Sequence, residues 1–206
     1  MMKSKCILSI SRAVLAGLAF SGLSASAQAA YSYGDDAQVP EFSYNFVEGA
    51  YDNYDFDGLD ADIGRLSMSY DVASKLNIIG EYANGDIDNP TGGSSLDYEA
   101  FAIGLGYHTP VAPRTDVTAN IKYINQDIDS ISDDDGYGVG IGLRHKLMGK
   151  VELDANIDYM DLDDNDDTRF GVGARYDINN KVSVGVDYST SSEDVDIISS
   201  NIRFNF

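Results

Sequence analysis

The chain has 206 residues, 34 acidic against 14 basic, and a formal net charge of −20. A balance this acidic argues against a nucleic-acid partner, whose phosphates need a basic face. The lone cysteine, Cys6, rules out an internal disulfide framework. After residue 29 no stretch approaches the roughly 20 apolar residues of a membrane helix, which leaves barrel strands open, because those alternate and escape hydropathy windows.

Lys3, Lys5 and Arg12 precede a small and apolar run from Ala13 to Leu23, and Ala25-Ser26-Ala27-Gln28-Ala29 follows. That is the layout of a secretory signal peptide, with cleavage expected after Ala29. Cys6 lies before the apolar run, which argues against a lipoprotein. All 34 acidic residues but only 11 of the 14 basic ones follow the leader, so its removal makes the chain more negative. Residues 30–206 are read as one domain, opening on a polar periplasmic lead-in from Ala30 to Glu41.

Ten strands are predicted from there. Phe42 to Tyr51 is aromatic without a clear facing. Ala61 to Tyr70 sets Leu66, Met68 and Tyr70 against Arg65, Ser67 and Ser69, and Leu76 to Gly85 sets Leu76, Ile78 and Tyr82 against Asn77 and Glu81. In Tyr98 to His108, Phe101, Ile103, Leu105 and Tyr107 alternate with Ala100, Ala102, Gly104 and Gly106. Val117 to Gln126 places Ile121 and Tyr123 opposite Asn120 and Lys122. Tyr137 to Leu147 alternates Tyr137, Val139, Ile141 and Leu143 with three glycines and Arg144. Val151 to Met160, Arg169 to Asp177, Val182 to Tyr188 and Ile198 to Phe206 repeat the two-residue period. An apolar face opposite a face that carries arginine fits lipid on one side and a polar lumen on the other. A sheet in lipid must close on itself. The fold class is therefore all-β, a closed antiparallel transmembrane β-barrel of ten strands, or of eight if the first segment and one other are not strands.

The connections alternate. Asp71–Lys75, Thr109–Thr115, Met148–Lys150 and Ile178–Lys181 are short, and each carries a basic residue. Those at Asp52–Asp60, Asp86–Asp97, Asp127–Asp135, Asp161–Thr168 and Thr190–Val195 are mostly longer and rich in aspartate. Short turns belong to the periplasm and long loops to the exterior. The final Ile202-x-Phe204-x-Phe206, the alternating strands and Tyr44-Asn45-Phe46-Val47-Glu48-Gly49-Ala50-Tyr51 together resemble the small outer-membrane β-barrel proteins of Gram-negative bacteria, of the OmpA/OmpX-like kind. The resemblance implies an outer-membrane location, and it implies that Ile202, Phe204 and Phe206 are the signal read by the barrel-assembly machinery.

Basic residues after the leader fall into two groups. Lys75, Arg114, Lys150 and Lys181 sit in the short turns; Arg65, Lys122, Arg144, Lys146, Arg169, Arg175 and Arg203 face inward, with Glu81, Glu152, Asp154, Asp158 and Asp187. These charges either plug the lumen with salt bridges or line a narrow wet pore. Asp55, Asp57, Asp60 and Asp62 crowd the first loop, and Asp127 and Asp129 open the third. Asp133, Asp134 and Asp135 in the third loop and Asp163, Asp164, Asp166 and Asp167 in the fourth are candidate weak calcium or magnesium ligands, able to bridge to lipopolysaccharide phosphates. Solvated turn aspartates would look the same, and the fourth loop departs from an EF-hand at Asp166 and Val172. No other cofactor is expected. Eight outward tyrosines, Tyr70, Tyr82, Tyr107, Tyr123, Tyr137, Tyr159, Tyr176 and Tyr188, read as an interfacial girdle. His108 and His145 fall at the periplasmic end without a visible catalytic partner, so no enzyme is expected. The expected role is envelope integrity or surface contact through acidic loops, with outer-membrane lipid and lipopolysaccharide as partners. The alternatives are a porin-like channel and a soluble periplasmic barrel of lipocalin type.

Overall fold

The computed structural model describes residues 42–56, 60–88, 95–128, 132–163 and 165–206. The expected leader and most of the lead-in lie outside these residues. Ten strands form: β1 (Phe46–Asp55), β2 (Asp60–Ala73), β3 (Leu76–Ile87), β4 (Leu96–Ala112), β5 (Thr115–Ile128), β6 (Ser132–Met148), β7 (Val151–Leu162), β8 (Asn165–Asp177), β9 (Val182–Ser191) and β10 (Asp196–Asn205). Each pairs antiparallel with its chain neighbours, and β1 pairs with β10 to close the barrel. The ten-strand count stands, not the eight.

Facing follows the predicted alternation. Leu66, Met68, Leu105, Ile121, Ile141, Val172 and Ile202 point out and are about half exposed, a continuous apolar wall for lipid. Arg65, Ser67, Lys122, Arg144, Glu152, Arg175 and Arg203 point in and are buried. An outward aromatic ring bounds the wall at each end. Tyr51, Tyr82, Phe101, Tyr123, Tyr137, Phe170 and Tyr188 stand toward the long-loop end, and Tyr70, Tyr107, Tyr176 and Phe204 toward the short-turn end.

Two expectations fail. The first strand does not begin at Phe42. Phe42 to Asn45 is a strap outside the sheet, with the Phe42 and Tyr44 side chains buried inside the barrel mouth. The aspartates are also mostly not in loops, because the strands run several residues past the upper aromatic ring. Asp55, Asp60, Asp62, Asp127, Asp133, Asp135, Asp161 and Asp166 are strand residues. Asp57, Asp129 and Asp164 lie outside the described residues.

That extension has a physical cause. Above the upper ring the pattern of the same strands inverts. Tyr54, Ala61, Ile63, Ala83, Ile87, Tyr98, Ala100, Ile124, Ile128, Met160, Leu162, Val195 and Ile197 now point inward and form one buried cluster. Asp62, Asp86, Asp97, Glu99, Asp133 and Asp135 point outward and are exposed. Within lipid the barrel is apolar outside and charged inside. Beyond lipid it is acidic outside and apolar inside, as in a water-soluble barrel, where the buried side chains drive folding.

Candidate functional site

The lumen holds three layers. The first, toward the exterior, is the apolar cluster. The second is charged. Arg65 sends Nε to Asp52 Oδ2 at 2.7 Å and a second nitrogen to Oδ1 at 3.1 Å. Lys122 Nζ reaches Glu81 Oε1 at 3.3 Å. Glu48 Oε2 accepts from Arg175 and from Arg203, each at 2.8 Å. Arg144 pairs with Glu152, and Lys146 bridges Glu152 and Asp177. Arg169 pairs with Asp167. Ion pairs this deep persist only when mutually satisfied.

Inner glycines make these reaches fit. Gly104 lies in register with Lys122 on β5, and a Cβ there would overlap the Ile121 carbonyl oxygen and the Lys122 side chain, which passes over it toward Glu81 on β3. Gly185 stands between Arg175 and Asn201, whose side chains bond across it at 2.9 Å. Gly173 stands between Asp154 and Asp187, and both carboxylates lie over it. A cavity of about 20 Å³ opens there, among Arg65, Asp154, Asn156, Asp187 and Ser199, with room for about one water.

The third layer is the strap at the short-turn end. Tyr44 crosses the mouth, and its hydroxyl donates to Asp116 Oδ2 on β5 at 2.7 Å. Its ring stacks on His108 at 4.8 Å. The Arg144 guanidinium lies 4.7 Å from the Phe42 ring centre and 5.0 Å from that of Tyr44. Asn45 anchors the strap, accepting from the Asp71 amide at 2.8 Å, and its own carbonyl accepts from the Phe206 amide.

All twelve inward residues named from the sequence, Arg65, Glu81, Lys122, Arg144, Lys146, Glu152, Asp154, Asp158, Arg169, Arg175, Asp187 and Arg203, line this interior. Sequence reasoning missed Glu48, Asp52, Asp116 and Asp167, which are buried there too. Glu48 is hidden in sequence because the first segment has no clear facing, and Asp52 because β1 runs on to Asp55, past the expected loop boundary at Asp52; their common parity with Phe46 is the available signal. The described loop aspartates do not gather into one site. Asp134 and Asp167 turn inward, Asp133, Asp135 and Asp166 turn outward, Asp163 is exposed in the turn beside Asp134, and no group of three carboxylates, histidines or cysteines suited to a metal occurs among the described residues. Asp167 is spent on Arg169 and the Ser192 amide and hydroxyl. Tyr137 and Tyr188 donate to Asp161 at 3.1 Å and Asp196 at 2.9 Å, joining the girdle to the acidic wall above it. His145 faces outward, with Nδ1 at 2.9 Å from Thr115 Oγ1. Ile202 and Phe204 face outward on the closing strand, and Phe206, just past its end, is exposed.

The model of the outer membrane protein beta-barrel domain matches residues 15–170. The chain belongs to that family. As a family member it lies in the outer membrane, and its lumen-inward charges and lipid-facing wall are those of a spanning barrel. No curated protein matches it in sequence. Among solved structures it is similar to the KdgM porin in complex with disordered oligogalacturonate, at 11% identity and a TM-score of 0.51, covering 77% of this chain and 99% of that one. It is also similar to an outer membrane channel from Pseudomonas putida F1 (10%, 0.49, covering 78% and 94%) and to the NanC porin (8%, 0.49, covering 78% and 100%). At such identities the likeness is one of fold alone.

Proposed function

We propose that this family member is a closed, non-conducting and non-enzymatic barrel that serves the envelope through its outer surface. The observation that carries this reading is the filled lumen. An apolar stopper, a paired charge layer and an aromatic strap lie in series along it, and a conducting path would have to displace all three. The exposed acidic wall is the surface left for contact. Its partner on this reading is lipopolysaccharide, reached through mobile divalent cations screening carboxylates and phosphates together rather than through a chelate site. Ile202 and Phe204 on the strand that closes the barrel, with Phe206 just past its end, are proposed to present the assembly signal.

The test is single-channel recording of the folded protein in a planar bilayer, with Arg144→Ala beside it. A silent bilayer is expected for both. Reproducible steps whose ion selectivity changes in Arg144→Ala would replace this reading with the porin one.

A further inference from the structure

We infer that the short-turn rim is a binding surface for the phosphate headgroups of anionic phospholipids in the periplasmic leaflet. Every lysine and arginine after residue 29 is either buried in the lumen or exposed in one of the four short turns, as Lys75, Arg114, Lys150 and Lys181. The neighbouring described acids, Asp71, Asp116 and Asp177, are buried or half-buried. The Asp71 carboxylate accepts from the Asn45 side-chain amide, Asp116 accepts from Tyr44, and Asp177 holds Lys146. The rim thus gathers all the exposed lysine and arginine side chains of the barrel, although the whole chain is strongly acidic.

The cations stand at headgroup height. Leu76, next to Lys75, pairs with girdle residue Tyr107; Lys150 Nζ lies 5.9 Å from the Tyr176 ring centre; and Val182, next to Lys181, pairs with Phe204. Arg114 adds an independent sign. Its φ is 64°, a left-handed conformation that usually goes to Gly, Asn or Asp. The two other described non-glycine residues with positive φ, Asp163 and Asp194, are such residues. An arginine kept at a strained position points to use of its side chain.

The test uses the protein's own fluorescence, from 14 tyrosines and no tryptophan. The protein is reconstituted in phosphatidylcholine bilayers carrying brominated phosphatidylglycerol or brominated phosphatidylcholine, and relative lipid binding is read from quenching. The wild type should favour the anionic lipid by about fivefold, the scale of one surface cation, and 1 M salt should abolish the preference. The quadruple variant Lys75→Gln, Arg114→Gln, Lys150→Gln, Lys181→Gln should bring it close to one. Arg114→Gly, which relieves the backbone and so folds at least as well, should lower it measurably. A wild-type ratio of one, or a preference unchanged in both variants, would overturn the inference. Loss of the preference on adding inorganic phosphate at matched ionic strength would also overturn it, because the rim would then be a free-phosphate site.

Discussion

Gly104 shows how single positions set the lumen. Lys122 has to pass over it to meet Glu81, and the nearest atoms to an added Cβ include backbone, which cannot move aside. Gly104→Ala should therefore lower stability by about 1–3 kcal/mol, the usual penalty for overpacking. Gly49 faces outward with open space around it, and Gly49→Ala should change stability by less than about 0.5 kcal/mol. Urea unfolding of both variants in lipid would check the contrast. Glu48 accepts from two arginines through one oxygen. Glu48→Ala removes the carboxylate both share, leaving Arg175 its bond to Asn201, and should cost about 3–5 kcal/mol by the same measurement.

At the scale of elements, the upper strand ends carry like charges directly opposite one another. Asp62 pairs with Asp86, Asp86 with Asp97, Glu99 with Asp127, and Asp127 with Asp133. Such pairs weaken a sheet, and the apolar layer behind them offsets the repulsion. Asp134, on the inner face above the membrane, has its carboxyl lifted above the ordinary range, first by burial and then by the facing Asp163. Its charge therefore opposes folding at neutral pH, and the penalty shrinks as pH falls below the raised folded value and is gone below the ordinary carboxyl value. Asp134→Asn should raise the urea midpoint at pH 8, and the gain should shrink at pH 4. The ten strands were legible because a two-residue period survives loose boundaries. The strap was not, since Phe42, Tyr44 and Phe46 share one parity and continue the strand pattern in sequence. Only the tertiary partners Asp116, His108 and Arg144 turn the first two residues into the mouth. The upper extension was misread because aspartate is a turn former, and outward aspartates over inward Ile63, Ile87 and Ile128 resemble loops if lipid is assumed throughout.

The whole molecule is a barrel whose strands change solvent once along their length. Cross-strand carboxylates cover the outside of its exterior end, ion pairs fill its middle, and a rim of cations closes its periplasmic end. Salt screens exposed charges far more than buried ones, so added sodium chloride should raise thermal stability rather than lower it, as a melting series in salt would record. Above the membrane the inward face is a dry core and the outward face is wet. The only cysteine is Cys6, ahead of the barrel, so single reporters can be placed cleanly. The decisive measurement is labelling of Glu99→Cys and Ala100→Cys, adjacent positions of opposite facing on β4, by a charged maleimide added outside cells. Rapid labelling at 99 with protection at 100 is the predicted result, and equal labelling at both would mean that water reaches the lumen and the barrel is open.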